Sequence, residues 1–292
     1  MGLSEFLQQK ELFSELPGLN FDTLNRKVQE RTARWFRSHS HEHELLRTQL
    51  EECGLPADEH LLAEVKRHIA LHYVEKLLPF CYSIEEYGEF LTSHVNADQA
   101  CQTVQAVAAQ GKGVLLASSH FGAVELIVPT CLRHKLSISP VLRFRSPELS
   151  DRARSKAADM ARCGAFGNVE FIEIGKAGTA AALEMAGVLR KGGILLSMVD
   201  EKTPYSIEVE LFGKKVWGGA GLDRLLKFAN ADIVIFAVFM VRLQNGTYHL
   251  QIHKIATDHP RPIAAIYELI ENMAREYPEQ WYFLHEEIPF VV

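Results

Sequence analysis

His120 and Glu125 stand in the stretch Ser118-Ser119-His120-Phe121-Gly122-Ala123-Val124-Glu125, with apolar runs at 114–117 before them and 126–128 after them. An imidazole changes charge near neutrality, so a histidine leaving a buried strand can take a proton from a hydroxyl or amine as that group attacks. A carboxylate at the start of the next helix can hold the other ring nitrogen, which fixes the tautomer and stabilises the imidazolium. The spacing predicts His120 as a general base and Glu125 as its orienting partner. Gly122 is expected to leave room for a substrate at the turn. Alone, the same residues also describe an ordinary strand-to-helix corner with a surface histidine. Their surroundings must decide.

The chain reads as helical to about residue 110. Apolar residues at helical spacing predict helices over 42–53, 58–79, 84–95 and 97–110, with Ser83 and Glu86 as a capping box opening the third. The period then changes. Short apolar runs at 114–118, 138–142, 169–172, 194–199 and 233–241 read as buried strands, and amphipathic helices at about 122–135, 150–163, 177–191 and 219–230 separate most of them. The expected fold is α/β: a mixed, largely parallel sheet flanked by helices, with an N-terminal helical region. Segments 208–212 and 247–253 alternate and read as edge or antiparallel strands. A last helix, about 262–276, leads to Trp281-Tyr282-Phe283. The N-terminal region 1–110 is expected to pack on the α/β domain 111–292 as one unit.

In open α/β sheets, ligands sit outside the carboxyl ends of the strands. His120 falls there after the first strand, Arg143 and Arg145 after the second, and Asp200-Glu201-Lys202 after the fourth. Three strand ends thus carry a base, cations and carboxylates to one edge.

The composition narrows the field. The 292 residues are 47% hydrophobic, enough for a substantial core, and the net charge of −6 argues against a general nucleic-acid binder. Five scattered cysteines without a C-x-x-C pair suit reduced thiols in the cytoplasm. Residues 1–6 lack the pattern of a secretory signal, and the longest apolar run, 233–241, is far short of a membrane span. The expectation is a cytoplasmic protein without a transmembrane segment, with peripheral contact at the inner membrane face left open. His39, His41 and His43 read as a solvated helix start rather than a metal site, and Gly175-Lys176-Ala177-Gly178-Thr179 fails the phosphate-loop spacing. Ser118 and Ser119 lack a nucleophile elbow.

With these residues in place, the chain resembles the bacterial lipid A biosynthesis acyltransferases, lysophospholipid-acyltransferase-type enzymes with a His-x4-Asp/Glu motif. Their H-F-G-N-W-E pattern is similar to His120-Phe121-Gly122-Ala123-Val124-Glu125. Arg143 matches an arginine after the second strand, Asp200 the aspartate of a D-Q element, and Leu211-Phe212-Gly213 an F-F-G element. Pro278-Glu279-Gln280-Trp281 matches a P-E-Q-W near the C-terminus. The resemblance covers about residues 30–287.

It implies transfer of a fatty acyl group from an acyl-carrier-protein or CoA thioester to a hydroxyl or amine. His120 would act as base oriented by Glu125, with no covalent intermediate, no metal and no cofactor. Arg143, Arg145, Asp200, Phe212, Gly213 and Gly122 would bind substrate. The departures are Ala123-Val124 in place of Asn-Trp, Glu201 in place of Gln, and Trp217-Gly218-Gly219 where a Thr-Pro pair is usual. They point to a small-molecule acceptor, such as a soluble natural-product intermediate, rather than the usual glycolipid. The basic pairs Arg143/Arg145, Arg152/Arg154 and Lys214/Lys215 would suit an acidic carrier protein. Two other readings keep the same fold: a catalytically silent protein that binds an acyl carrier or lipid, and a thioester hydrolase.

Overall fold

A computed structural model of the chain describes residues 2–7, 14–144, 147–174, 178–219, 221–256, 261–285 and 288–291. Among the described residues the N-terminal part holds the helices α1 (Leu3–Leu7), α2 (Phe21–Ser38), α3 (Ser40–Glu52), α4 (Glu59–Cys81), α5 (Ile84–His94) and α6 (Asp98–Ala108). Their starts follow from side chains that accept the first free N–H groups. Asn20 caps α2 through Thr23 N, Asp58 caps α4 through Leu61 N, and Ser83 with Glu86 forms the expected capping box of α5.

Among the described residues there are nine strands, β1 (Val95–Asn96) between α5 and α6, and after the change of period β2 (Gly113–Gly122), β3 (Ile138–Leu142), β4 (Ile172–Glu173), β5 (Ile194–Met198), β6 (Ile207–Leu211), β7 (Lys214–Gly218), β8 (Ile233–Arg242) and β9 (Tyr248–Ile255). Seven form one sheet in the order β1-β9-β8-β2-β5-β3-β4, parallel except for the antiparallel β8–β9 pair. β2 lies at its centre, buried on both faces, as its unbroken apolar run requires. The helices α7 (Ile127–Arg133), α8 (Pro147–Arg162), α9 (Gly178–Arg190), α10 (Leu222–Ala229) and α11 (Pro262–Glu276) flank it.

Three elements differ from the sequence expectation. Strand β2 continues to Gly122 instead of stopping at 118, and a 3₁₀ turn, Val124–Leu126, precedes α7. The expected helix from 122 would have put Pro129 in its interior, where the missing N–H breaks the ladder. Starting at Ile127 places Pro129 in the first turn, where that N–H has no partner to lose. The alternating segment 208–212 does not join the main sheet. It forms the separate antiparallel hairpin β6–β7. Of the strand expected over 169–172, only Ile172 pairs within β4, and Val169 makes a lone bridge to Ile138.

Helix α4 ties the N-terminal helices to the sheet. It packs against α2 and also against the Val124–Leu126 turn and the 278–284 segment. Its Glu75, fully buried, receives both arms of Arg242 at the end of β8, Nε to Oε1 at 2.7 Å and Nη2 to Oε2 at 2.7 Å. Two charges can stay out of water only because each satisfies the other. Gln280 completes the joint by accepting from Arg242 N and donating to Arg242 O, both at 2.9 Å. Arg242→Met, which strands the Glu75 carboxylate, is expected to cost about 3–5 kcal/mol in denaturant unfolding. Replacing both partners together should cost less. A loss below about 1 kcal/mol for the single change would show that water already reaches the pair.

Candidate active site

The carboxyl end of β2 carries His120, and the neighbouring end of β5 carries Asp200. The Asp200 carboxylate grips the histidine twice. Its Oδ2 accepts from the backbone N of His120 at 2.6 Å, and its Oδ1 lies 3.0 Å from the imidazole Nδ1. Asp200 is itself only 5% exposed. The residue before it is anchored: Val199 O accepts from Gly219 N at 2.8 Å and from the Tyr267 hydroxyl at 3.0 Å, while Val199 N donates to Ser118 O at 2.9 Å. Both strand ends are therefore held in register, and the carboxylate has little freedom to leave the ring.

With Nδ1 occupied, Nε2 is the ring nitrogen left for other partners. The His120 side chain is 21% exposed, and Glu201 Oε1 stands 3.7 Å from Nε2. Phe283 and Tyr282 flank the ring, with centroids at 5.3 and 6.3 Å. Burial pulls the imidazole pKa down, but Asp200 first, then Glu201 and Glu125, outweigh it and raise it above the ordinary histidine value.

Glu125 is placed differently from its expected role. Its Oε1 pairs with Lys76 Nζ at 3.1 Å and lies 3.6 Å from His72 Nε2, both on α4. The partner of Nδ1 is Asp200, not Glu125, because the 3₁₀ turn carries Glu125 to the helical side of the site. Nor does Gly122 serve chiefly to admit substrate. It has φ +59°, and a Cβ there would stand 2.0 Å from Met240 O, so the glycine lets β2 approach β8.

A family model for bacterial lipid A biosynthesis acyltransferases matches residues 24–288. The chain belongs to this family. It is an acyltransferase. No individual curated protein matches it.

Other motif residues of the acyltransferase have visible structural duties. Phe212 and Gly213 are the two central residues of the β6–β7 turn, with φ of 53° and 68°. That left-handed pair is what a two-residue hairpin needs. Phe212 also accepts α11 as a backing: its N donates to Glu271 Oε2 at 2.6 Å, and its ring lies 5.5 Å from that of Trp281. These contacts account for the two residues without the substrate contact the resemblance implies. Trp281 in turn bridges Phe121, next to His120, so the 278–281 motif braces the catalytic edge from behind.

Arg143 follows β3, next to β5 in the sheet, and is exposed at the same edge. Arg145 lies outside the described residues. Arg154 pairs with Glu173 and sits over Phe144 and Phe171, Lys215 pairs with Glu208, and Lys214 lies over Phe290. These cations of the basic pairs already have partners within the chain. Ser118 donates to Val238 O, and the buried Ser119 hydroxyl has no hydrogen-bond partner, so neither serine is aligned on the imidazole. His39, His41 and His43 turn to Trp35, Glu42 and Lys66, respectively. Among the described residues, no cluster of three or more His, Cys, Asp or Glu could hold a metal ion. None of the described helices is long and apolar enough to cross a membrane.

Sequence reasoning missed Lys76 and His72, and it gave Asp200 a lesser part. A signal existed: His68, His72 and Lys76 recur every four residues along α4. The arrangement predicts that His120 titrates above 6.5. Asp200→Asn removes the strongest influence raising it, so the midpoint should fall. Histidine ring NMR resonances followed against pH check this, and an unmoved midpoint would deny Asp200 control of the ring.

Proposed function

We propose that His120 is the general base of acyl transfer from a thioester donor, carried by an acyl carrier protein or CoA, to a hydroxyl or amine acceptor. The observation carrying this reading is the imidazole held at Nδ1 by a buried carboxylate, with Nε2 facing an accessible edge. Nε2 takes the proton as the acceptor oxygen or nitrogen attacks the thioester carbonyl. The tetrahedral intermediate then collapses, the carbon–sulfur bond breaks, and the leaving thiolate receives the proton from the imidazolium. A thioester is already activated, so no acyl-enzyme is needed, and the unaligned Ser118 and Ser119 fit that route.

Asp200 holds the tautomer and stabilises the imidazolium, the part the sequence assigned to Glu125. Glu201, 3.7 Å from Nε2, is the second negative charge at the ring, and Glu125 adds a weaker third. Arg143, at the same strand edge, suits the anionic part of a donor or acceptor. Ala123, fully buried, and Val124 stand where the family pattern has Asn-Trp. This departure from the family pattern next to His120 favours an acceptor other than the usual glycolipid, such as a soluble pathway intermediate.

Intact-mass spectrometry tests the reading. Acyl-carrier and acyl-CoA thioesters are incubated with purified enzyme and a small-molecule extract, with His120→Ala alongside. Donor deacylation matched by an acylated product, reduced about 10²–10⁴-fold in the variant, is expected. A variant with full activity would remove His120 as base. Free acid alone would point to hydrolysis, and unchanged thioesters to a binding protein.

A further inference from the structure

Helices α2, α3 and α4 line a pocket of about 870 Å³. Small-molecule sites span roughly 300–1,000 Å³ and combine apolar walls with a few polar groups. Here Ala33 and Phe36 on α2 and Ala63 on α4 supply apolar surface, while Arg37, Lys66 and Arg67 supply cations. The small side chains at 33 and 63 are exposed and leave the space between the two helices open.

The charges of the lining do not cancel. Arg67 is paired with Glu64 at 2.7 Å, and Glu44, the carboxylate of the lining, stands 3.8 Å from Arg47. Glu59 also goes to Arg47, at 2.6 Å. Among the described residues, no carboxylate pairs with Arg37 or Lys66. Lys66 is half-buried, its ammonium beside His43 Nδ1 and 5.4 Å from the centroid of the Phe36 ring. Burial, the largest influence on it, lowers its pKa. A cation drawn out of water costs free energy unless an anion faces it. Arg37 alone would be an ordinary cation in the last turn of a helix. The half-buried Lys66 in the same pocket has no such explanation.

We propose that this pocket binds a small amphipathic anion, its carboxylate or phosphate head held by Arg37 and Lys66 and its apolar part laid on Ala33, Phe36 and Ala63. Arginine offers a planar fork and lysine a point charge, so either head group suits the pair. The site does not depend on the role of His120. Rings packed in series lead from its wall to the strand edge: Phe36 to His285 at 5.9 Å, His285 to Tyr282 at 5.7 Å, and Tyr282 to His120 at 6.3 Å. A ligand in the pocket rests on the far end of that series.

Isothermal titration calorimetry on the full chain tests the proposal, with decanoate, decyl phosphate, decanol and inorganic phosphate as probes below their micelle concentrations. A saturable site for decanoate or decyl phosphate is expected, and the tighter of the two identifies the head group. Arg37→Met and Lys66→Met should each weaken that binding about tenfold, as the loss of a hydrogen bond to a charged group does. Lys66→Arg, which keeps the charge, should retain it. Ala63→Trp fills the pocket from an exposed helix position and should abolish it, while His120→Ala should bind as wild type does. Decanol binding as tightly as the anions, or inorganic phosphate as tightly as decyl phosphate, would overturn the inference. So would the absence of saturable binding, or an affinity unmoved by the Arg37, Lys66→Met and Ala63 variants. Loss of binding in His120→Ala would put the probe at the strand edge and overturn it as well. Thermal unfolding without ligand, expected to match wild type, separates a folding defect in any variant from these outcomes.

Discussion

The strand edge that carries His120 depends on how Asp200 divides its two oxygens. One accepts from the His120 backbone and the other faces the imidazole, so a single buried carboxylate sets both the position of the chain and the state of the ring. A carboxylate this enclosed is tolerable only when its lone pairs are met, and the two contacts meet them. The Val199 carbonyl, fixed from two sides by Gly219 and Tyr267, ties that grip to the β6–β7 hairpin and to α11. Parts of the chain far apart in sequence thus converge on one hydrogen-bonded pair.

The second constraint is charge balance. Three carboxylates, Asp200, Glu201 and Glu125, act on one imidazole, and the cation that pairs with Glu125 comes from outside the strand ends. Lys76 arrives from α4, and Arg242 pairs with Glu75, the residue just before it. The N-terminal helices are consequently more than a cover for the sheet. Glu75 anchors α4 to the end of β8, and Lys76 beside it pairs with Glu125 on the turn before α7.

Several short motifs turn out to serve shape. Phe212 and Gly213 supply the left-handed turn that a tight hairpin demands. Gln280 mimics a backbone partner for Arg242, and Trp281 extends the pairing of Phe121 beyond the sheet. Gly122 permits strand contact where any side chain would collide with Met240 O. A motif near the candidate histidine can serve the fold that positions it.

The sequence by itself determined the alternation of strands and helices, the capping of α4 and α5, and the placing of His120, Arg143 and Asp200 at one strand edge. Those follow from hydrophobic period and local hydrogen bonding, which neighbouring residues settle among themselves. It also held the information that Pro129 delays α7, a local rule that shifts Glu125 onto the preceding turn. Only the tertiary structure decided which carboxylate takes Nδ1. His120 and Glu125 are five residues apart, whereas Asp200 is eighty away and reaches the ring because β2 and β5 are adjacent in the sheet. The same holds for Lys76, whose partner is chosen by the packing of α4 on the turn. Electrostatic partners depend on distances of a few ångströms across the fold, and no spacing along the chain encodes them.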